Sequence, residues 1–543
     1  MKGRKVTKIT FITFLSFLFL ITSTNAAIPT MDQVGPSAMP EQIAPINAPF
    51  YMPAFERPDF GDKIVSIVDF GAKPDGQFNC RKAINTAIDT CSKAGGGRVL
   101  VPAGKWFTGR IELKSNVELH LAKEAELHFS GLLEDYLPVV FCRNEGVELN
   151  STGALIYAHD QQKIAITGQG KIIGPPRDAP LRKLKKMKVI DKEIDADSLI
   201  ETRIFDGQGE RGHFLPYSIS PISCRDVFIE SVSIERSAMW NIVPIYCENV
   251  VIRGVQIDSR GIPRGDGVNI ESSRNVLVEY CSVNTGDDSY CFKAGRNEDG
   301  IRVRRPVENV VHRYNLSLGG HGGITCGSET AGMIRNVYIT NCRYENVRVG
   351  IRFKTRRPRG GGGENMTYEN ISIKADIIIS WEMLGSSRYV GNLAKRLPPL
   401  KFTPLTPTYR NIVIRNIVGD ASQSMIRAKG IPESPISSVL IENVDLAGPE
   451  GVMMRDADEI ILRNCKFHCK KDLIFDLRNV QNFQTQHCTI KSDNPPKIRI
   501  AEETCKNIDL REIEFCEASH TPSLELVDGA KKTSIQLPEQ SNK

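Results

Sequence analysis

A short phrase returns along the whole length of this chain. It opens on Asn or a small polar residue and continues with β-branched residues alternating with polar ones. The clearest copies run 249–257, 275–283, 336–344 and 411–418, beginning at Asn249, Asn275, Asn336 and Asn411. Weaker copies begin near Asp226, Asn309, Asn365, Ser438, Glu459, Asn482 and Asn507, mostly 21–34 residues apart with one gap of 46. Period-two alternation marks a strand with one buried face. A lone hairpin cannot bury such a face, but stacked copies can, at a strand spacing of ~4.8 Å. The expectation is an all-β chain, a right-handed parallel β-helix (solenoid). Leucine-rich repeats are the rival, but their Leu-x-x-Leu-x-Leu spacing is absent.

The ends read differently. Residues 1–26 carry Lys2, Arg4, Lys5 and Lys8, then the apolar stretch Ile9–Ile21 and small residues up to Ala26. That order predicts a secretory signal peptide. Residues 27–64 are Pro-rich and are expected to lie extended along the body. Residues 65–520 hold the coils, and 521–543 form a C-terminal tail. Between Cys80 and Ala94, the residues Ile84, Ala87, Ile88 and Cys91 share one helical face, and Gly95-Gly96-Gly97 ends it. A helix there would cap the open end of the coil core. Two insertions interrupt the coils. Pro175–Leu215 is rich in Arg and Lys, and Ala375–Arg410 carries Trp381, Tyr389 and several prolines.

Composition narrows the function. Removing the four leader cations from the formal +6 leaves +2, too mild to suggest nucleic acid. No later segment holds the ~20 apolar residues of a spanning helix. A secreted or periplasmic protein is expected, off the membrane once the leader is removed, and monomeric. The 14 cysteines show no paired metal-type spacing. Cys281, Cys342, Cys465 and Cys488 fall at one place in the repeat and read as small core residues. No cofactor or metal is expected.

Candidate chemistry sits at intervals of about one repeat: Arg264-Gly265-Asp266-Gly267, Gly286-Asp287-Asp288, Gly320-His321-Gly322 and Arg352-Phe353-Lys354. Each alone reads as a turn, since Gly-Asp pairs are common turn formers. Together, in successive coils, they would line one wall. Clustered carboxylates suit acid–base cleavage of a glycosidic bond. Arg352 and Lys354, at i and i+2, share a strand face and suit an anionic substrate.

These motifs resemble those of the polygalacturonases, glycoside hydrolase family 28, which run N-T-D-G, G-D-D, G-H-G and R-I-K. The resemblance extends from Asp69-Phe70-Gly71 through Gly295–Gly300 to about Ile371. It implies inverting hydrolysis of α-linked galacturonic acid in a pectic oligo- or polysaccharide. Carried over, Asp287 is the general acid, and Asp266 and Asp288 orient and deprotonate the water. His321 tunes the acid, and Arg352 and Lys354 hold the sugar carboxylate. The chain departs from the family at Arg264, Gly265 and Asn269. Arg264 is an added cation that would meet a further carboxylate or block part of the cleft. Trp240 reads either as a sugar platform or as core. The two insertions and the Gly295–Gly300 motif favour exo over endo action. The alternatives are a β-helix lyase, which would need Ca²⁺ ligands and an Arg or Lys base, and a non-catalytic carbohydrate binder, which would not need three aspartates.

Overall fold

A computed structural model describes residues 27–183, 197–209, 211–516 and 522–538. The expected leader, and the lysines at 185, 186 and 188 of the first insertion, lie outside the described residues.

The chain forms a right-handed parallel β-helix, with thirty strands of the described residues in one continuous ladder. One register column shows how the coils stack: Val250 pairs with Val276, Val276 with Val310, Val310 with Val337, Val337 with Met366, and Met366 with Ile412. All six are buried. Burying each such side chain contributes about 1.5–3 kcal/mol, so the β-branched half of the repeat stabilises the solenoid.

The polar half of the repeat has its own geometry. Every expected starting residue, from Asp226 to Asn507, has a positive φ, from 49 to 56°. The chain turns a corner there through the left-handed region, which Asn and Asp tolerate better than other residues. The corner side chains then stack. Asn275 Nδ2 donates to Asn249 Oδ1 (3.2 Å), Asn309 to Asn275 (3.2 Å), and Asn336 to Asn309 (3.0 Å). The two properties together explain why Asn opens the best copies.

The capping helix runs Arg81–Lys93 and buries Ala83, Ile84, Ala87, Ile88 and Cys91 against the first coils. The Pro-rich segment lies along the outside of the sheet. Ile43, Ile46, Phe50, Met52 and Phe55 cover outward-facing Phe228, Val251, Leu277 and Val311. Its carbonyls accept hydrogen bonds from coil arginines: Arg253 reaches Pro40 and Glu41, and Arg313 reaches Ala44 and Pro45. The ladder also runs past residue 520, because Ser523–Val527 pairs with Lys497–Ala501 and Ile535–Gln536 with Lys506–Asp509. The second insertion is shorter than its sequence texture suggested. Coil strand continues to Glu382, so the excursion spans 383–407, and Trp381 is a core residue stacked on Phe353 at 4.7 Å. Cys281, Cys342, Cys465 and Cys488 are all buried in the core. No described helix is long and apolar enough to cross a membrane.

Candidate active site

The register of three neighbouring strands builds the site. Strand Val268–Glu271 pairs with Tyr290–Lys293, setting Val268 beside Tyr290. Asp266 and Asp288 each lie two residues before that pair, so they hold equivalent places in adjacent coils. A spacing of about one repeat does not distinguish Asp287 from Asp288; the register does. The next strand sets Tyr290 beside Ile324, which brings His321 over Asp287. One coil further, Arg352 stands beside Thr325. The expected residues therefore converge on one cleft of about 950 Å³, lined by Asp266, Asp287, His321, Arg352, Lys354 and Arg264.

The three carboxylates are not alike. Asp288 is fully buried, with Arg352 Nη1 2.9 Å from Oδ1 and Lys354 Nζ on Oδ2. Burial pushes its carboxyl up, but Lys354 and Arg352 hold it well below the usual range. Asp287 is the partly exposed member, its side chain 25% accessible. His321 Nδ1 lies 3.2 Å from its Oδ1, and the Asp288 N–H donates to the same oxygen (3.0 Å). Burial raises Asp287, but the His321 hydrogen bond and Lys354 bring it below its ordinary value. Asp266 is buried. Desolvation and the neighbouring Asp287 charge push it up to about 7. The cluster thus retains a proton into the neutral range, as like charges in one site require.

Gly322 is fixed by this packing. A Cβ there would lie 2.7 Å from Asp288 Oδ1 and 2.2 Å from Thr325 Oγ1, so only glycine lets His321 follow so closely over the aspartates.

Sequence reasoning missed the support beneath Asp266. The Lys293 side chain is 3% exposed; its Nζ is 3.7 Å from Asp266 Oδ2, 3.2 Å from Glu329 Oε2, and 4.6 Å from the Trp240 ring centre. Burial opposes its charge, but the Glu329 carboxylate, with Asp266 beside it, holds the ammonium well above its ordinary value. The available signal was a lone cation closing the otherwise apolar strand Tyr290-Cys291-Phe292-Lys293. Asn269, the departure from the family pattern, donates from Nδ2 to Asp266 Oδ2 (3.2 Å). Trp240 is buried, stacked on Tyr217 at 5.2 Å with Lys293 Nζ over its ring, so it is a core residue that borders the cleft. Arg264 meets Glu145 Oε1 at 2.7 Å, from the turn of the hairpin formed by Val140–Asn144 and Val147–Ser151. Its charge is answered within the protein, and it stands on the N-terminal wall of the cleft.

Asp266, Asp288 and Cys291 place one ligand atom each within 4.8 Å of one another. Lys293, Arg352 and Lys354 already neutralise these carboxylates, so a divalent cation there would meet three positive charges.

A parallel β-helix whose coils gather acidic groups, a histidine and fixed cations into one cleft defines a polysaccharide-directed hydrolase. Residues 91–460 match the model of glycosyl hydrolases family 28, and the chain belongs to that family. It is a glycoside hydrolase. It is 33% identical to an exopolygalacturonase of Thermotoga maritima whose solved structure superposes with a TM-score of 0.62, covering 72% of this chain and 89% of that one. It is 28% identical over 391 residues to a probable polygalacturonase of Vitis vinifera, covering 70% of this chain and 74% of the relative. It is 26% identical to an exo-poly-alpha-D-galacturonosidase of Dickeya chrysanthemi, covering 75% of this chain and 71% of the relative.

Proposed function

We propose that this protein is an exo-acting hydrolase of α-linked galacturonic acid in pectic oligo- and polysaccharides, working with inversion. The observation that carries the reading is Asp288 held between Arg352 and Lys354, with Asp287 beside it on the open cleft. The exo-acting relatives from Thermotoga and Dickeya support the substrate and the mode. Phe214 and Leu215 from the first insertion, with the Arg264–Glu145 pair, wall the N-terminal end of the cleft and favour binding of a chain end. Export to the periplasm or medium is part of the same proposal, because the substrate is an external polymer.

In this mechanism Asp287 protonates the leaving oxygen as the C1–O bond breaks. Asp266 and Asp288 orient a water, which forms the new bond to C1 from the opposite face and gives up a proton to the cluster. Substrate charge helps to place the proton. A uronate carboxylate bound at Arg352 and Lys354 offsets the Lys354 charge that holds Asp287 down, and so moves the shared proton toward Asp287.

Polygalacturonate digestion tests the reading. Hydrolysis gives reducing ends without the unsaturated-uronide absorbance, exo action releases the smallest product from the start, and inversion gives the β-anomer first by NMR. Unsaturated product would mean a lyase, and no product a binder.

A further inference from the structure

Beyond Lys354 the cleft continues along the solenoid axis, and its wall changes character. Lys354 pairs in register with Glu382 of the next coil, and the 383–407 excursion begins directly after it. The short helix Ser387–Val390 in that excursion brings Arg388 and Tyr389 to the cleft lining. Tyr389 is 44% exposed. Two guanidinium groups face its ring, Arg356 at 4.7 Å from the centroid and Arg388 at 5.7 Å. Arg356 follows Lys354 by two residues, so it extends the same row of cations. The excursion is clasped onto it: Gly385, at φ +73°, comes so close that a Cβ would lie 2.8 Å from Arg356 Cδ. Arg264, Arg352 and Arg359 in this cleft each meet a carboxylate of the protein. Arg388 makes no ion pair among the described residues.

An exposed aromatic ring flanked by guanidinium groups, one strand step beyond the catalytic cations, has a definite complement. The ring holds the two guanidinium groups by cation–π contact, and those cations suit the carboxylate of a pyranose in the cleft. We propose that Arg356, Tyr389 and Arg388 form a subsite for an acidic sugar, next in line after the sugar whose carboxylate meets Arg352 and Lys354. The inference rests on the pectic reading above. The ~4.8 Å coil step from Lys354 to Glu382, after which the excursion begins, is comparable to the advance of one pyranose unit, so the excursion meets the next uronate. The excursion, which the repeat pattern does not require, then serves to grip the polymer leaving the site.

Chain-length dependence tests it. Wild type should show a higher kcat/KM on trigalacturonate than on digalacturonate, by about tenfold or more for one extra charge-assisted contact. Arg388→Gln and Tyr389→Ala should each bring that ratio toward one. Arg388→Lys should recover part of it, which a purely structural role would not. Circular dichroism and unfolding midpoints would show that both variants fold. An unchanged ratio in both variants, or equal losses on the two substrates, would overturn the subsite. If wild type cleaves neither oligomer, the pectic reading itself fails, whatever the variants do.

Discussion

Asp287 and His321, 34 residues apart, are joined twice: the His321 N–H donates to the Asp287 carbonyl at 2.8 Å, and Nδ1 stands 3.2 Å from Oδ1. The backbone bond fixes the ring's position, and the side-chain contact then governs the carboxyl's proton. One coil's spacing thus couples a general-acid candidate to an imidazole on the cleft wall.

Asp287→Asn should abolish turnover and leave the fold intact. Losing the acid proton costs about 10²–10⁴-fold or more. The side chain is partly exposed and isosteric with Asn, so packing is untouched. Oligogalacturonide binding and circular dichroism should match wild type. A wild-type rate on unactivated substrate would remove Asp287 from the acid role.

His321→Gln should act through Asp287. The His321 contact lowers the Asp287 carboxyl, so its loss raises that group. The acidic and neutral parts of the kcat/KM profile should shift toward higher pH, with a smaller loss of rate than Asp287→Asn. An unshifted profile would show that His321 acts on substrate alone.

Asp266 gives a stability prediction with a definite sign. Its folded-state value is raised from 3.8 to about 7, so the folded chain binds a proton that the unfolded chain lacks between those values. That contribution is present below about pH 4 and is lost as pH rises through about 7. Asp266→Asn cannot ionise and escapes the loss. Relative to wild type, its unfolding midpoint should rise steadily from pH 4 to pH 8, by an equivalent of up to roughly 4 kcal/mol. Parallel curves would mean that Asp266 is charged at neutral pH in the folded protein.

The solenoid and its corners were legible because the same physics repeats in every coil. Alternating β-branched residues need a stack to be buried, and the left-handed corner selects Asn or Asp. Asp266, Asp287, Asp288, His321, Arg352 and Lys354 were legible because their spacing tracks the coil length. The partners were not. Asp288 rather than Asp287 aligns with Asp266, because that coil advances 22 residues in register and not 21. Glu145 reaches Arg264 from 119 residues away, on a hairpin outside the repeat. Lys293 and Glu329 form a buried ion pair whose members each resemble an ordinary strand-end charge. Trp381 reads as part of the second insertion because the 46-residue gap between the starts at Asn365 and Asn411 hides a strand that continues to Glu382.

The Asn ladder should carry measurable stability. Asn309 sits at φ +56°, donates to Asn275 and accepts from Asn336. Asn309→Ala loses two side-chain hydrogen bonds and leaves an alanine in the left-handed region. The cost is about 1–2 kcal/mol for the conformation and up to about 1 kcal/mol for each part-exposed hydrogen bond. Urea unfolding should show a lower midpoint, and Asn309→Gly should recover part of it by removing the strain. Equal losses for both substitutions would place the whole effect in the hydrogen bonds.

Lys354 both lines the cleft and pairs with Asp288, so its removal should be felt twice. Its ammonium holds Asp288 and also lines the cleft where a uronate would bind. Lys354→Met should lower kcat/KM on oligogalacturonides by roughly 10–200-fold, the value of one charge-assisted contact. The loss should be much smaller on a methyl-esterified analogue, which lacks the charge. Asp288 would also lose the largest of the charges that lower it. The acidic limb of the pH profile should therefore move to higher pH, while Arg352 still prevents a full return to the ordinary carboxylate value. The two effects separate by substrate: the binding loss depends on the uronate charge, and the shifted limb does not. Equal losses on charged and esterified substrates, with an unmoved limb, would make Lys354 a packing residue and leave Arg352 as the cation that meets the substrate.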